Sequence, residues 1–450
     1  MSEILKIKKG LNIRLKGSAD KILIPEIPVT RYGVRPVDFP GLVPKLAVRP
    51  ADIVKAGSVL FTDKNLPEIR FTSPVSGTVV DIVRGDRRRL LEVVIEVSGN
   101  DYTDFGKGDP AVLTPDQIKA KLLESGLWPV IRQRPYNIVA KPSQEPKSVF
   151  ISGLDTAPLA PDYDFVMHNS DMGELGTGIK ALGKLTRGKV HLVLDGSNVT
   201  GSVMKNVAGA EKHYIKGPHP AGNPGIQIHH IDPVNKGEVV WYVNLQDVLA
   251  IGRLFNEGVY RHDRIIALAG SEVTKPAYHR IRSGASVTGI LRGSLRDGEV
   301  RCISGNVLTG TAISAEGFLG YYDNMVTAIP EGKHHEFFGW ITPGFGKFSF
   351  SRSFGSALLP GKEFVVDTNL HGGERAFVMT GVYEKVLPMD IYPMQLLKAI
   401  LVEDIDMMER LGIYEVAEED FALCEYVCPS KIEIQAIIRK GLDQMVREMS

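Results

Sequence analysis

The chain has 450 residues, and its 53 Lys and Arg residues equal its 53 Asp and Glu residues, so the formal net charge is zero. Apolar residues make up 43% and charged residues 24%, which is typical of folded globular proteins and excludes a disordered chain. A neutral chain lacks a general attraction to nucleic-acid phosphates or anionic lipid, so we expect no nucleic-acid partner. At about 150 residues per domain, the length predicts roughly three domains.

The sequence predicts a cytoplasmic location. Residues 1–9 alternate charged and apolar side chains and lack the continuous apolar core of a secretory signal. The most apolar runs, residues 190–194 and 265–269, are far shorter than the roughly 20 residues that cross a bilayer. We therefore expect membrane association only through another protein. Three cysteines are too few for a disulfide framework and fit a reducing compartment.

Residues 36–97 alternate short apolar runs with Gly and Pro, which predicts a small all-β module. Segments 55–61 and 72–80 resemble the biotinyl and lipoyl carrier modules, in which a Pro-x-x-Gly turn links two β halves. Here Pro74 supplies the fixed backbone of that turn and Gly77 the permissive one.

Carrier modules of the lipoyl type are modified on a lysine within an Asp-Lys turn, which makes Lys64, after Asp63, the candidate carrier residue. Its register differs from that pattern, because too few residues separate it from Gly57 and too many from Pro74. A solvated turn lysine is the interpretation that the spacing favours.

The region from residue 100 to 146 is polar and rich in proline, with one predicted helix from Thr114 to Ser125, opened by Thr114 as N-cap and Pro115 at the first position. From Ser148 onward an α/β pattern begins. It predicts strands at 149–151 and 190–194, joined through a helix. The apolar residues at helical spacing in that helix are Leu175, Ile179, Leu182 and Leu185. A parallel sheet with crossover helices is the economical interpretation.

A glycine-rich motif, Gly173, Gly176 and Gly178, opens this helix and could present backbone N–H groups to phosphate. The dinucleotide fingerprint has the order G-x-G-x-x-G directly after a strand, whereas the order here is reversed. We therefore interpret the motif as a helix entry with close packing.

The last part of the chain divides into three predicted regions. Residues 258–311 suggest a β-grasp unit, with a strand at 264–269, a short helix opened by Pro276, and strands at 287–291 and 300–303. Residues beyond Gly320 are predicted to be mostly strand through Tyr383. Residues from Met389 onward are predicted to be helical.

The final helix has the clearest pattern. Ser430 is its predicted N-cap and Glu433 completes a capping box. One apolar face is formed by Ile434, Ile437, Ile438, Leu442, Met445 and Val446. We expect this face to pack against another element.

Cys424, Cys428 and Pro429 form a C-x3-C-P pattern that resembles the end of a ferredoxin-type cluster loop. That loop needs four thiolates, but the two preceding ligand positions hold Glu418 and Phe421. The one other cysteine, Cys302, cannot complete the set. The sequence therefore predicts two buried thiols in a vestigial cluster loop and no metal.

Two histidine pairs, His229–His230 and His334–His335, are candidate metal ligands by residue type. Adjacent residues on a strand point to opposite faces and cannot easily bind one ion, so we expect no metal at either pair. No G-x-S-x-G elbow is present, which leaves serine-hydrolase chemistry without support.

The segment 128–136 combines two aromatic residues and two arginines with two rigid prolines. Its candidate contact residues are Trp128, Arg132, Arg134 and Tyr136. Such a loop could stack on a planar ring and donate to its carbonyl oxygens, as a quinone site requires. A packed interdomain loop with solvated arginines is the alternative, and the surface character of loops favours it.

Four segments together resemble one family. Residues 84–88, 337–340, 382–388 and 418–429 look like signature segments of the peripheral A subunits of sodium-translocating NADH:quinone reductases, and the similarity runs essentially end to end. That family is similar to the C subunits of Rnf complexes and to the NADH-oxidising flavoprotein subunit of respiratory complex I.

The resemblance implies an α/β multidomain fold. Its expected parts are a biotinyl/lipoyl-like β barrel-sandwich with an N-terminal segment (1–99), a Rossmann-like α/β domain (100–257), a β-grasp domain of the soluble-ligand-binding type (258–320), a mixed β segment (321–388) and a C-terminal helical domain (389–450).

In the flavin-binding relatives a G-x-G-G-A-G-F loop holds FMN and a cysteine-rich helical domain holds a cluster. Here the loop region is residues 126–130, where Trp128 would occupy the space of the flavin ring, and the cysteine run is broken. The resemblance therefore implies a chain without flavin or iron–sulfur cluster of its own, those cofactors being expected in partner subunits.

The resemblance implies that the chain is a structural subunit that couples its partner subunits. The chain is expected on the cytoplasmic face of the bacterial inner membrane, docked on the membrane-embedded B subunit of a complex that passes electrons from NADH to quinone and exports Na⁺. Quinone is a candidate ligand. Two alternatives stay open: a flavoprotein like the Rnf C subunit, which carries FMN and clusters, and a lipoyl-like carrier or assembly protein.

Overall fold

The computed structural model describes residues 4–25, 28–333, 339 and 341–449. The histidine pair His334–His335 and, apart from Gly339, the signature segment 337–340 lie outside these residues. The first two strands are β1 (Ile4–Lys6) and β2 (Leu23–Ile24), and both join sheets formed by later parts of the chain.

The N-terminal β module consists of two small sheets. Its strands are β3 (Arg31–Val34), β4 (Pro44–Leu46), β5 (Ile53–Val54), β6 (Val59–Asp63), β7 (Arg70–Thr72), β8 (Ser76–Arg84) and β9 (Leu90–Gly99). The order is β3-β9-β8-β5 in one sheet and β4-β6-β7 in the other. Pro74 lies between β7 and β8, so the predicted turn does link the two halves. Phe61, Val79 and Val93 have no exposed surface and fill the space between the sheets.

The α/β domain follows. Its elements are α1 (Pro115–Ser125), β10 (Arg132–Arg134), β11 (Ile138–Val139), β12 (Ser148–Ser152), α2 (Tyr163–His168), α3 (Met172–Gly183), β13 (Lys189–Asp195), β14 (Glu211–Lys216), α4 (Pro224–Ile231), β15 (Val240–Asn244) and α5 (Leu245–Glu257). Thr114 caps α1 and forms a capping box with Gln117, which confirms the predicted helix start.

One seven-stranded sheet forms the centre of this domain, in the order β1-β14-β13-β12-β15-β10-β11. The strands from β1 to β15 in this order are parallel, whereas β10 runs antiparallel to both of its neighbours. The predicted parallel sheet with crossover helices is confirmed. A crossover topology buries both faces of such a sheet, in agreement with the fully buried β12.

The glycine motif of α3 serves helix packing. A Cβ atom on Gly178 would lie 2.2 Å from the carbonyl oxygen of Val248 in α5, and one on Gly252 would lie 1.8 Å from that of Glu174. Glycine at both positions lets α3 and α5 touch backbone to backbone. Asp171 caps α3 by accepting from the N–H of Gly173, so the predicted helix entry with close packing is confirmed.

The β-grasp region contains β16 (Asp263–Ala269), β17 (Ala277–Arg282), α6 (Thr288–Leu291), β18 (Val300–Ser304), β19 (Thr311–Ile313) and β20 (Met325–Pro330). Its sheet has the order β19-β18-β20-β16-β17-β2. Two details of the prediction were wrong. Pro276 precedes a strand and not a helix, because residues 277–282 pair with β16. The predicted strand at 287–291 is absent, because Val287 is the N-cap of the short α6 that follows it.

The C-terminal region differs from the prediction in its first part. Residues 331–382 were predicted to be mostly strand, but within the described residues their strand pairing is limited to the bridge between Phe364 and Leu15. Frequent Gly residues here break the alternation that a strand needs. The helices that follow are α7 (Tyr383–Val386), α8 (Pro393–Leu401), α9 (Ile405–Arg410), α10 (Ala422–Val427) and α11 (Ile434–Met449).

The last helix begins later than Ser430. The hydroxyl of Ser430 donates to the carbonyl of Ala376 at 2.8 Å, so this residue anchors the preceding segment and is not the N-cap. The apolar face of α11 is confirmed: Ile434, Ile438, Leu442 and Met445 have no exposed surface.

Two apolar cores lie on opposite faces of the parallel sheet. Leu192 and Leu194 of β13 belong to the core shared with the β module and the β-grasp sheet. Val193, between them, belongs to the core shared with the C-terminal helices. Since alternate residues of a strand face opposite sides, this one sheet separates and supports both halves of the molecule.

Candidate functional site

The loop between α1 and β11 carries all four residues of the predicted quinone contact. Trp128 has no exposed surface, and its indole N–H donates to the carbonyl of Ala140 at 2.7 Å. Its ring meets that of Trp241 edge to face, with 5.4 Å between the centroids. Leu127, Val130 and Ile131 are equally buried. Trp128 is therefore a core residue and does not line a cleft.

Arg132 lies between two tyrosine rings. The centre of its guanidinium is 4.7 Å from the ring centroid of Tyr242 and 4.4 Å from that of Tyr322. Cation–π contact of this kind holds a planar cation in a fixed orientation. Burial raises the pKa of both tyrosines, so their hydroxyls remain protonated at neutral pH.

Arg134, two residues further along β10, has no exposed surface and is paired with acids of the C-terminal region. Its Nη2 is 2.9 Å from Oε1 of Glu419 and 3.3 Å from Oδ2 of Asp420. Within the described residues its Nε and Nη1 have no hydrogen-bond partner. Burial raises the pKa of Asp420 to about 6, although the charge of Arg134 acts in the opposite direction.

The residues Glu418, Glu419 and Asp420, here called the acidic turn, also lie against the start of α4. A Cβ atom on Gly225 would lie 2.3 Å from Oδ2 of Asp420, so only glycine leaves room for this carboxylate. The side-chain amide of Asn223 donates to the carbonyl of Glu419 at 3.0 Å. A carboxylate near the N-terminus of a helix is favoured by the helix dipole.

The acidic turn contacts the loop at two further points. Asn137 donates to Oε1 of Glu418 at 3.1 Å and hydrogen-bonds to the hydroxyl of Tyr242. Arg439 of α11 donates to the carbonyl of Tyr136 at 2.9 Å and lies 3.5 Å from Glu418. The cluster therefore joins β10, α4 and α11, and it attaches the C-terminal helices to the parallel sheet.

The structure brings Arg132 and Arg134 into this polar cluster, with Tyr136 at its border. Tyr136 is half-buried, and its ring centroid is 6.2 Å from that of Tyr414. The sequence interpretation missed the acidic turn as the partner of Arg134. The signal was present as three consecutive acids, but 285 residues separate Arg134 from Glu419.

The residues of the vestigial cluster loop do not fit an iron–sulfur cluster. Cys424 and Cys428 are fully buried, and Sγ of Cys428 is 2.9 Å from the hydroxyl of Tyr383. Burial raises the pKa of Cys424, which opposes the thiolate form that binds metal. Cys302 lies in β18 of the β-grasp sheet, and Glu418 is engaged by Asn137. Two thiols cannot replace the four that a cluster needs.

A flavin fits the loop no better. A phosphate-binding loop must leave backbone N–H groups open to its ligand, whereas residues 127–131 are packed into the core. Lys64, the candidate carrier residue, is exposed in a turn held by the contact of the Asn65 N–H with Asp63, as expected for a solvated lysine.

His229 and His230 lie at the end of α4, and the expectation that they stand on a strand was wrong. Nδ1 of His229 is 2.6 Å from Glu415, and Nε2 of His230 is 2.8 Å from the carbonyl of Pro388. Both histidines thus contact the C-terminal region separately.

Within the part of the chain that the structure describes, no helix combines the length and apolar character that crossing a bilayer requires.

Comparison with known proteins matches three family profiles. They are described as the NqrA N-terminal barrel-sandwich hybrid domain (residues 5–98), the NqrA second alpha/beta domain (residues 113–260) and the NQRA C-terminal domain (residues 265–315). The three matches agree with the β module, the parallel sheet and the β-grasp sheet described above.

Curated relatives match over the whole chain. The A subunit of the Na(+)-translocating NADH-quinone reductase of Hahella chejuensis is 40% identical over 450 residues, which cover 99% of this chain and 100% of the relative. The A subunits of the same reductase from Neisseria meningitidis serogroup A and Yersinia pseudotuberculosis are each 40% identical with the same coverage. With three domain profiles and full-length relatives in agreement, the chain belongs to the family of A subunits of Na(+)-translocating NADH-quinone reductases.

Proposed function

We propose that this chain is the peripheral docking subunit of a Na⁺-translocating NADH:quinone reductase, bound on the cytoplasmic face of the bacterial membrane to the membrane-embedded B subunit. The complex transfers electrons from NADH to quinone and exports Na⁺. In this proposal the chain carries no redox cofactor, and its contribution is to hold and couple the partner subunits.

The observation that carries the docking role is a segment with exposed apolar side chains. Residues 341–379 lack regular pairing, and their exposed large apolar residues are Ile341, Phe345, Leu358, Leu359, Val365, Leu370, Val378 and Met379. Concentrated exposed apolar surface on a folded protein marks an interaction site. A membrane-embedded partner supplies the apolar surface that this segment would cover.

Helix α8, which follows this segment, adds further exposed apolar side chains. Tyr392, Leu401 and Val402 are 66%, 47% and 74% exposed at the two ends of α8. By contrast, the parallel sheet and its helices α3 and α5 bury their apolar residues within the chain. The C-terminal third is therefore the part that we propose to face the partner.

The cofactor-free role is supported by the residues at the two cofactor positions of the relatives. The acidic turn engages Arg134 where a cluster would need thiolates, and Trp128 is held in the core where a flavin loop would be open. A cofactor at either position would have to displace one of these internal contacts.

The docking proposal can be tested with two substitutions of equally exposed residues. Leu358 and Val112 are each 80% exposed, but Val112 precedes α1 and lies outside the segment. Leu358→Glu should reduce co-purification of the B subunit with the complex at least tenfold, because a buried charge without a partner is costly at an interface. Val112→Glu should leave it unchanged. Equal recovery of the B subunit with both variants would refute this docking surface.

A quinone contact is a secondary proposal for the loop of residues 128–136. Two observations favour it: Nε and Nη1 of the buried Arg134 have no partner in the described residues, and the rings of Tyr242 and Tyr322 flank Arg132. Donors of this kind could bind a quinone carbonyl. Trp128 supports the loop from the core, and Arg132, Arg134 and Tyr136 would make the contact.

Photo-labelling with an azido-quinone tests the second proposal on the isolated chain. Label should appear in the tryptic peptides around residues 126–136 and should fall when excess unlabelled quinone competes. Labelling that is absent from these peptides, or that excess quinone does not reduce, would exclude the contact.

A further inference from the structure

Three potential metal ligands meet on two neighbouring strands, away from the loop and the acidic turn. His191 lies on β13, and Glu211 and His213 lie on β14. His191 is directly opposite Glu211 in the parallel register, and Val193 is opposite His213. Since alternate residues of a strand share a face, the three side chains project from the same side of the sheet.

The three ligand atoms are close together. Nδ1 of His191 is 2.9 Å from Nε2 of His213, and one carboxylate oxygen of Glu211 lies within 4.8 Å of a ring nitrogen of each histidine. His191 is 5% exposed, and its ring centroid lies 4.6 Å from that of Phe150, a contact that restricts the position of the ring. Ligands on adjacent strands are held more firmly than ligands on loops.

We propose that His191, His213 and Glu211 form a binding site for one divalent cation of the zinc class, with Nδ1, Nε2 and a carboxylate oxygen as ligands and water completing the coordination. Two imidazoles and one carboxylate with an open position form a known zinc donor set. Among hard cations, calcium and magnesium prefer oxygen ligands alone, so the two nitrogens select a transition metal.

Little rearrangement is needed to admit the ion. Two nitrogens bound at 2.0–2.1 Å to a tetrahedral zinc lie about 3.3 Å apart, so the histidine rings must separate by roughly 0.4 Å. Glu211 must leave Lys189, whose Nζ is 2.7 Å from its carboxylate. That ion pair is exposed on both sides, and exposed pairs contribute little stability.

The histidines are already in the protonation state that a metal needs. Burial lowers the pKa of His191 to about 4 and also lowers that of His213, so both rings are neutral at pH 7. Each ring can keep its single proton on the nitrogen that does not face the metal. Binding therefore requires a change of tautomer in one ring and no loss of a proton from either.

Isothermal titration of the chelator-treated full chain with ZnCl₂, in a buffer that does not bind zinc, tests the site. The wild-type chain should bind one equivalent. His213→Gln is suitable because this side chain is only partly buried, and loss of a direct ligand should weaken binding about 100-fold or more. Glu211→Gln should weaken it about tenfold, whereas Lys189→Gln should strengthen it, since the competing cation is removed.

His168→Gln is the matched control, because His168 is exposed at the end of α2 and distant in sequence from the cluster. It should leave zinc binding unchanged. Titration with Co²⁺ adds a spectroscopic readout, namely visible absorption that appears in the wild-type chain and is lost in His213→Gln. The proposal is wrong if the wild-type chain binds no zinc, or if His213→Gln and Glu211→Gln bind it as tightly as the wild type.

Discussion

Arg134 is a fully buried cation whose nearest anions belong to a turn at the other end of the chain. Its position on β10, which pairs antiparallel with β15, places it where the C-terminal helices approach the sheet. Gly225 leaves space for Asp420 at the same point. The contact thus depends on one cation, one acidic turn and one glycine.

Replacing Arg134 with Met should destabilise the chain by about 3–5 kcal/mol, because it leaves Asp420 and Glu419 near a buried site without their cation. Urea unfolding measures the change in free energy. Adding Asp420→Asn to this variant should recover part of the loss, and the coupling between the two substitutions should be at least about 0.5 kcal/mol. Additive effects would contradict the contact.

His219 predicts a pH dependence. Burial lowers the pKa of His219 to about 4, whereas the unfolded chain binds this proton near the ordinary value of 6.5. Between those pH values the unfolded chain holds more protons, so the contribution of His219 to stability is complete above pH 6.5 and decreases as the pH falls toward 4. The loss amounts to at most about 3 kcal/mol.

The measurement is the slope of unfolding free energy against pH in the wild-type chain and in His219→Gln. The variant should have a shallower decline between pH 6.5 and 4, whatever its stability at pH 8. Asp38 and Asp420, whose pKa values burial raises to about 6, act in the opposite direction in both proteins and cancel in the difference. Identical slopes would rule out this role for His219.

At this scale the sequence could identify residue types but not their partners. Arg132 and Arg134 stood out by composition, yet their partners Tyr242, Tyr322 and the acidic turn lie at least about a hundred residues away in the chain. His191 and His213 do not form a recognisable sequence motif, because only the parallel pairing of β13 and β14 brings them together.

At the level of elements, the sequence predicted a helix correctly where its capping residues or its apolar periodicity lay within the element itself. The Thr114–Pro115 start of α1 and the apolar face of α11 were predicted because capping and periodicity are encoded within a few residues. The prediction of mostly strand for residues 331–382 was wrong for those of them that the structure describes. Their aromatic residues suggested strand, but their frequent Gly residues and the proposed partner surface favour irregular structure.

At the contact between α8 and α11, the cost of overpacking can be compared with the gain in helix propensity. A Cβ atom on Gly441 would lie 2.8 to 3.0 Å from three side-chain carbons of the fully buried Ile400. Gly441→Ala gains about 1 kcal/mol of helix propensity, but overpacking of a well-packed core costs about 1–3 kcal/mol. We expect a net loss of roughly 1 kcal/mol in chemical unfolding.

The double variant Gly441→Ala with Ile400→Val distinguishes the two effects. Removing one methylene next to the new methyl group should make the alanine less costly than it is with Ile400 present. If Gly441→Ala stabilises the chain by itself, the close approach of α8 and α11 is wrong.

In the molecule as a whole, the N-terminal segment connects three sheets. β1 extends the parallel sheet beside β14, β2 extends the β-grasp sheet beside β17, and β3 begins the β module. We propose the domain limits 1–99, 100–257, 258–320, 321–388 and 389–450, with residues 4–24 crossing between domains. Such crossing cannot be deduced from local sequence patterns, because two- and three-residue edge strands have no periodicity of their own.

Two features of the whole molecule support the proposed docking role. The two positions where the sequence resemblance implied an ancestral cofactor are occupied by internal contacts, one by Trp128 and one by the acidic turn with Arg134. The apolar surface left exposed is concentrated in the C-terminal third.

The most direct test is the cofactor content of this chain after gentle isolation of the complex from its own membranes and separation of the subunits. Iron is measured by mass spectrometry and flavin by fluorescence after acid release, and the flavin retained by the partner subunits serves as the positive control. We predict neither iron nor flavin in stoichiometric amount on this chain. One flavin or one iron–sulfur cluster per chain would contradict the cofactor-free docking role.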